Sequence, residues 1–306
     1  MIVPVDGATL FLHDQKWLSF CSHDYLALSD HPEIKKNAIK FLLQYGLCAT
    51  SYEDSLSLSH QKQLEEKFAA LLGKERLFFF PSAPDLSLLL SDIKWIAIES
   101  ICSLGGHFSD LASFVAAAQQ RQALCCIDDS HSFALFGREG MGLAAHLSSI
   151  DLITGSLSKG CGVYGYYLAC NQIIADHIIQ KMAPHYLPSP VIGALDCALE
   201  LIPQMEGERQ QLLQRAHFLR TELQEAGLEI IPSIAPLIAL SFQTKEEAEA
   251  LKRALHDAQI LVAPPKQMHS RFLLQLALTS SHMPDYLALL IHEIRAWKEA
   301  LVVNYQ

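Results

Sequence analysis

The sequence predicts an α/β fold in which helices cover both faces of a mainly parallel sheet, followed by a smaller C-terminal α+β domain. From Leu77 onward, short apolar runs of strand length alternate with stretches of helical spacing, and this alternation is typical of a parallel sheet. The chain has 306 residues, of which 50% are hydrophobic and 18% charged. That length and composition allow a large core divided between two lobes.

The N-terminal region predicts an arm followed by helices. Residues 9–13 and 17–21 read as two short strands rather than a domain. A helix is expected to begin next, because Ser29-Asp-His-Pro-Glu33 offers a capping acid and then proline in the first turn. Its apolar residues recur at helical spacing, and Gly46 marks its end. After a polar loop over 48–59, a second amphipathic helix is expected.

The main sheet is predicted to contain five short buried strands. They cover 77–80, 95–98, 123–127, 150–154 and 164–169. A helix-like stretch over 86–92 precedes the second strand, and a helix over 108–120 precedes the third. After Pro188-Ser-Pro190 a long helix is expected to reach residue 204, with a charged helix following over 206–226.

We expect three parts in the chain, with the main boundary near Pro203. Residues 1–30 form the arm, 31–203 a large cofactor-binding domain and 204–306 a small C-terminal domain. The small domain is expected to contain strands near residues 229, 237, 261 and 273 and two helices.

Composition excludes several classes of function. The formal net charge of −10 argues against a nucleic-acid surface, and no basic run suggests an anionic membrane. No apolar stretch reaches transmembrane length, and the first residues lack the features of a signal peptide. The eight cysteines form no CxxC pair and the fourteen histidines no HExxH motif. We therefore expect a cytoplasmic protein with reduced thiols and without a metal.

Two motifs place reactive side chains at the ends of predicted strands. One lysine follows a strand in Asp151-Leu-Ile-Thr-Gly-Ser-Leu-Ser-Lys-Gly160, and Cys125-Cys-Ile-Asp-Asp-Ser-His131 ends another strand in carboxylates and an imidazole. Ligands bind at the carboxyl ends of strands in open α/β sheets, so both motifs should face one crevice. An amine, a carboxylate, an imidazole and hydroxyl groups in one crevice are typical of a pyridoxal phosphate site.

Each residue type has a chemical reason to be there. The amine of Lys159 can form a Schiff base with the cofactor aldehyde. The carboxylate of Asp128 can keep the pyridine nitrogen protonated, because an adjacent negative charge favours the cation. His131 is expected near the ring hydroxyl. Another interpretation stays open from these residues alone, since Ser-Lys-Gly after a strand is common and the Asp-Asp-Ser-His turn could cap a helix.

Several motifs resemble those of the α-oxoamine synthases, a family of pyridoxal phosphate enzymes with the type I, aspartate-aminotransferase-like fold. The matching motifs are Ser22-His-Asp-Tyr-Leu-Ala-Leu-Ser-Asp-His-Pro32, Glu99-Ser-Ile-Cys-Ser103, Asp128-Asp-Ser-His-Ser132, Ser156-Leu-Ser-Lys159 and Thr279-Ser-Ser-His282. The resemblance extends over most of the chain and is greatest to the 8-amino-7-oxononanoate synthase branch of biotin synthesis.

The resemblance implies a set of residues that contact pyridoxal phosphate. They are Lys159, Asp128, His131, Ser156, Ser103 and Ser82. Lys159 and His131 would be catalytic, with Lys159 also removing the α-proton of the amino acid. The implied substrates are an amino acid and an acyl-CoA or acyl-carrier thioester, L-alanine and a pimeloyl thioester in the favoured branch. The implied assembly is a homodimer.

The chain also departs from the family pattern. About fifty residues, two strand–helix units by pattern, are missing between Ser82 and Glu99, and with them the histidine that stacks on the cofactor ring. The phosphate-binding turn contains Pro84, which has no N–H to donate. The family's glycine-rich loop is replaced by residues 49–54, and its "SND" asparagine by His23.

One further departure affects the substrate site. Gln275 stands where the family has the arginine that holds the substrate carboxylate, and a neutral amide binds a carboxylate less strongly than a guanidinium. Arg271 lies four residues earlier on the same predicted strand face. Two hypotheses therefore stay open: a shortened active synthase, or a non-catalytic homologue that acts as a structural or regulatory subunit. A serine hydrolase is a distant third, because no GxSxG motif is present.

Overall fold

The computed structural model describes residues 2–47, 56–182 and 186–304. Its helices and strands are, in chain order, β1 (Ile2–Pro4), β2 (Thr9–Leu12), β3 (Gln15–Ser19), α1 (Pro32–Tyr45), α2 (Leu56–Leu72), β4 (Arg76–Phe80), α3 (Leu86–Leu89), β5 (Trp95–Glu99), α4 (Leu111–Gln120), β6 (Leu124–Asp128), β7 (Leu152–Ser156), α5 (Leu157–Gly160), β8 (Tyr166–Cys170), α6 (Gln172–Ile179), α7 (Ser189–Leu201), α8 (Glu206–Glu225), β9 (Leu237–Phe242), α9 (Lys245–Asp257), β10 (Ile260–Leu261), β11 (Lys266–Met268), β12 (Arg271–Ala277) and α10 (Pro284–Asn304). Short 3₁₀ turns cover Leu28–Asp30, Arg138–Gly140 and Ile202–Gln204.

The chain divides into two compact units. The central unit contains Leu28–Ile101 and Ser109–Glu206. The terminal unit contains Met1–Ala27, Cys102–Phe108 and Gly207–Gln306. The three-part division with a boundary near Pro203 stays a prediction. None of the helices in the described ranges combines the length and the apolar character that crossing a lipid bilayer requires.

The central unit is built on a five-stranded sheet in the order β4-β8-β7-β6-β5. The strands β5, β6 and β7 are parallel, whereas β8 is antiparallel to its neighbours β7 and β4. The register pairs Glu99 with Asp128 and Asp128 with Thr154, so the carboxyl ends of three parallel strands meet at one edge. The α/β fold predicted from the sequence is confirmed.

Helices cover both faces of this sheet. On one face, Phe68 of α2 packs against Tyr167 of β8, with ring centroids 4.8 Å apart. On the other face, Ile174 and Ile178 of α6 join Leu168 of β8 in a buried apolar cluster. Both faces are packed with apolar side chains, because successive residues of a strand point to opposite sides of the sheet.

The helix α1 packs against α7 at a glycine. A methyl group on Gly193 would meet the ring of Phe41 at 2.5 Å, so the helices approach only because no side chain is present there. The Asn37 side-chain amide also donates to the Gly193 carbonyl at 2.7 Å. The expected capping acid of α1 is wrong, because the cap is His31, whose Nδ1 accepts the Glu33 N–H at 3.3 Å.

The terminal unit contains two small sheets. The first has the order β1-β2-β3-β10, with β10 parallel to β3, so the N-terminal strands pair with a strand from late in the chain. The second has the order β11-β12-β9 and is antiparallel. The strand expected near residue 229 is wrong, since the chain forms only an isolated bridge between Ile230 and Leu240 there.

Candidate active site

The candidate site lies at the carboxyl ends of the central strands. The strand β6 ends at Asp128, and the neighbouring strand β7 ends at Ser156. The short helix α5 follows β7 directly and carries Lys159. Parallel strands end at the same edge of a sheet, which is why two motifs far apart in the sequence occupy one edge.

Lys159 and His131 contact each other directly. The Lys159 Nζ lies 2.8 Å from the His131 Nε2, within hydrogen-bond distance. The imidazole is buried and the lysine side chain is half-buried. The structure thus brings together two residues that the sequence predicted to share a site, and it places a basic nitrogen beside the candidate amine.

Ser130 holds the turn that carries His131. Its N–H donates to the Asp128 Oδ1 at 2.8 Å, and its Oγ accepts the N–H of Ser156 at 2.8 Å. The turn after β6 is therefore fastened to the end of β7. The Ser156 hydroxyl lies 2.8 Å from the Ser158 hydroxyl, so the predicted phosphate contact has a local partner.

Asp129, adjacent to the predicted cofactor acid, is fully buried and has a structural role. Its carboxylate accepts the Ser132 hydroxyl at 2.5 Å and the Ala144 N–H at 2.8 Å. Burial is the main cause that raises the pKa of Asp129 above its ordinary value, and these hydrogen bonds offset only part of that rise. A methyl group on Gly142 would approach Asp129 Oδ2 to 2.3 Å, so this glycine, with its φ of +95°, permits the contact. Sequence reasoning missed this anchor.

A cavity of about 280 Å³ opens beside Asp128. It is lined by residues from four strands and from the segment after β4: Ala83, Pro84, Leu86, Ala97, Ile98, Glu99, Cys126, Asp128, Thr154 and Tyr166. Among the described residues that border it, the charged ones are Glu99 and Asp128. The cavity therefore favours a small group that is neutral or positively charged.

In the predicted phosphate-binding turn after β4, a protein carboxylate occupies the backbone N–H groups. The Asp85 carboxylate caps α3 and accepts the N–H groups of Ser87 at 3.0 Å and Leu88 at 3.2 Å. The N–H of Leu89 bonds to the Asp85 carbonyl at 3.0 Å. Pro84 has no N–H, and Ser82 is exposed. Asp128, which lines the cavity, suits the ring nitrogen of pyridoxal phosphate, and Lys159, which contacts His131, carries an amine suited to its aldehyde, but this turn does not fit its phosphate. Lys159 and His131 are not among the residues that line the cavity.

The terminal unit shows what Gln275 contacts. Its Nε2 donates to the carbonyls of Ser103 and Leu104, at 2.7 Å each, and the residue is 6% exposed. The guanidinium of Arg271 is also engaged, because it bonds to the Ser241 hydroxyl at 2.9 Å and forms an ion pair with Glu229. Both candidates for holding a substrate carboxylate are therefore occupied by protein groups.

The short stretch between Ser82 and Glu99 forms little structure. It contains only the four-residue helix α3 and the strand β5. The strand β5 lies at the edge of the described sheet. Residues 49–54, which replace the glycine-rich loop, lie outside the described residues. The ring of His23 lies 6.0 Å from that of Tyr25.

Comparisons with known proteins agree with the resemblance. The chain is 27% identical to 8-amino-7-oxononanoate synthase of Nitrosospira multiformis over 332 positions, covering 88% of this chain and 83% of that protein. It is 25% identical to the same enzyme of Trichlorobacter lovleyi over 341 positions, covering 90% of this chain and 87% of that protein. Each alignment is about 60 positions longer than the part of this chain that it covers, which agrees with internal residues missing here.

Solved structures share the fold. Serine palmitoyltransferase of Sphingomonas wittichii matches with a TM-score of 0.87 and 15% identity, covering 98% of this chain and 92% of that one. The 8-amino-7-oxononanoate synthase of Francisella tularensis matches with a TM-score of 0.79 and 19% identity, covering 95% and 99%. The family model for aminotransferase class I and II matches residues 83–291. The resemblance to α-oxoamine synthases is thereby confirmed, and the chain belongs to the aminotransferase class I and II family.

Proposed function

We propose that this protein is a pyridoxal phosphate-dependent acyltransferase that condenses L-alanine with a pimeloyl thioester, with loss of carbon dioxide, in biotin synthesis. The observation that supports this proposal most directly is the 2.8 Å contact between Lys159 Nζ and His131 Nε2, beside the strand that ends at Asp128. The relatives named 8-amino-7-oxononanoate synthase support the choice of substrates.

Each predicted site residue has a role in this proposal. Asp128 would hold the ring nitrogen, and His131 and Ser103 would lie on the side of the ring hydroxyl. On the phosphate side Ser156 and Ser82 would offer hydroxyl groups alone, because Asp85 occupies the N–H groups at the start of α3. When bound, pyridoxal phosphate supplies an electron-withdrawing ring that stabilises negative charge on the substrate carbon. Lys159 would bind the aldehyde and would move the substrate proton. His131 can donate to or accept from Lys159 Nζ, and so keeps the amine in position in either protonation state.

The proposal includes a location and an assembly. We expect the enzyme to work in the cytoplasm as a homodimer, as the resemblance implies. An amino acid and an acyl-CoA or acyl-carrier thioester are the expected partners. The net charge of −10 favours neither nucleic acid nor an anionic membrane as a partner.

The substrates can be tested directly. Purified protein with pyridoxal phosphate is given L-alanine and pimeloyl-CoA, or L-serine and palmitoyl-CoA, and the products are measured by mass spectrometry. We expect 8-amino-7-oxononanoate from the first pair. Lys159→Ala should abolish the product, whereas Lys181→Ala, which removes a lysine paired with Asp92, should not. Product from the second pair alone would contradict the proposed substrates.

A second candidate function is a non-catalytic subunit. It is favoured by the Gln275 amide, which is bound to two backbone carbonyls instead of being a charged group that could hold a substrate carboxylate. Titrating cofactor-loaded protein with L-alanine and L-serine distinguishes the two. A cofactor absorbance that changes with neither amino acid would favour the non-catalytic subunit, and a change with L-alanine would favour the enzyme.

A further inference from the structure

We propose that the phosphate group adds little to cofactor binding by this chain, so that a pyridine aldehyde without phosphate binds about as well as pyridoxal phosphate. The inference rests on the proposed function, because it takes Lys159 as the residue that bonds to the aldehyde. The structural basis is a difference between two parts of the candidate site. Asp128 suits the ring nitrogen, whereas the segment at the start of α3 disfavours the doubly negative phosphate.

The start of α3 already binds a negative group, and that group belongs to the protein. Backbone N–H groups at a helix start are donors that a phosphate can use. Here the N–H groups of Ser87 and Leu88 bond to the Asp85 carboxylate, and the N–H of Leu89 bonds to the Asp85 backbone carbonyl. A phosphate at this position would have to displace the Asp85 carboxylate and would then lie beside its negative charge.

The cavity that borders this segment also disfavours a negatively charged group. Pro84 and Leu86 line it together with Asp128 and Glu99. Glu99 and Asp128 are register partners on adjacent strands, so two carboxylates stand side by side at the carboxyl edge. No Lys, Arg or His is among the described residues that border the cavity. Two acids favour a protonated pyridine ring and repel a phosphate.

The predicted preference is measured with two aldehydes. Pyridoxal phosphate and 5′-deoxypyridoxal share the ring and the aldehyde, and the second cannot close into a hemiacetal. The Lys159 nitrogen bonds to the aldehyde carbon as the aldehyde oxygen leaves as water. Borohydride then adds hydride to that carbon, and the intact mass reports how much protein carries the adduct at each aldehyde concentration. Lys159→Ala supplies the background from other lysines.

Two matched variants isolate the effect of Asp85. Asparagine also caps helices well, so Asp85→Asn keeps α3 capped and removes the charge. We expect it to tighten pyridoxal phosphate binding about tenfold, from the charge removed near the phosphate, and to leave 5′-deoxypyridoxal unchanged. Asp110→Asn is the control, because Asp110 caps α4 in the same way, accepting the Ser113 N–H at 3.0 Å, and does not line the cavity.

The outcomes separate this inference from the proposed function. The inference is supported if wild-type protein binds the two aldehydes with affinities within about tenfold of each other. It also requires that Asp85→Asn shifts the ratio of the two affinities and that Asp110→Asn does not. Pyridoxal phosphate binding more than about tenfold tighter than 5′-deoxypyridoxal overturns it and leaves the proposed function standing. If neither aldehyde gives an adduct that depends on Lys159, the proposed function fails, and the inference fails with it.

Discussion

The buried imidazole of His282 is held in its neutral form. Its Nδ1 accepts the Thr279 N–H at 2.9 Å, and its Nε2 therefore donates to the Ser19 carbonyl at 3.0 Å. Burial is the main cause that lowers the pKa of His282 from 6.5 to about 4. The folded protein therefore resists protonation of this residue, whereas the unfolded chain takes up the proton near pH 6.5.

This imidazole should make the stability of the protein depend on pH. A lowered pKa means that the contribution of His282 is complete above pH 6.5 and is lost as the pH falls toward 4. We expect the difference in unfolding free energy between wild type and His282→Gln to shrink by up to about 3 kcal/mol between pH 7 and pH 4. Denaturant unfolding at several pH values measures this difference. The exposed His292→Gln is the control, and an unchanged difference for His282→Gln would contradict the expectation.

Single residues also show where sequence reasoning stops. The sequence predicts Asp128, His131 and Lys159 because the residue that ends a buried strand can be located from its apolar run. It does not reveal which side chain each one meets. The partners of Gln275 lie 171 and 172 residues earlier in the chain. The Asp129 carboxylate accepts the N–H of Ala144, which lies 15 residues later, and the apolar spacing of the sequence does not indicate this contact.

At the scale of elements, β7 depends on a glycine near its carboxyl end. A methyl group on Gly155 would lie 2.5–2.6 Å from two ring carbons and the hydroxyl oxygen of Tyr167, which is itself fully buried. Because the added methyl group would overlap a fully buried side chain, Gly155→Ala should destabilise the protein by about 1–3 kcal/mol. Thermal or denaturant unfolding measures the loss.

A second glycine provides the matched control for this strand. Gly207 lies in α8, and an added methyl group there would meet nothing within 4 Å. Gly207→Ala should leave stability unchanged or raise it by up to about 1 kcal/mol, because alanine favours the helix. If Gly155→Ala were as stable as wild type, Tyr167 would not restrict this strand as described.

The elements that the sequence predicts best are the buried strands. All five strands of the central sheet lie within two residues of their expected positions at each end, since continuous apolar runs indicate them clearly. The reversed direction of β8 was not predicted, because direction depends on pairing and not on composition. The short helix α6 and the strand β11 were missed, because neither is long enough to show a period.

At the scale of the whole molecule, the chain is a shortened version of its relatives. The alignments indicate about 60 positions without a counterpart here, and β5 forms the edge of the described sheet. The sequence predicts this shortening, because the segment between Ser82 and Glu99 has room for only one helix and one strand. The capping of α3 by the Asp85 carboxylate was not predicted, because it depends on the path that the backbone takes in the shortened segment.

A second titratable group, which is half-buried, opposes His282 in the pH dependence of stability. Glu65 of α2 accepts the Gln61 side-chain amide at 2.9 Å and the Phe79 N–H at 3.4 Å. Burial is the main cause that raises the pKa of Glu65 from 4.5 to about 7. The contribution of Glu65 is therefore complete below pH 4.5 and is lost as the pH rises through 7, the reverse of the order for His282.

Between pH 4.5 and 6.5 these two contributions have opposite slopes, so each should hide the other in the wild-type protein. Glu65→Gln keeps an oxygen for both hydrogen bonds but cannot ionise. Its unfolding free energy should rise more steeply with pH across this range than that of the wild type, because the contribution of Glu65 no longer opposes that of His282. In His282→Gln the slope should change in the opposite direction, because the contribution of Glu65 is then unopposed by His282, and the double variant should return to about the slope of the wild type. Denaturant unfolding at pH 4.5, 5.5 and 6.5 tests all four proteins, and equal slopes in the two single variants would show that the groups do not oppose each other.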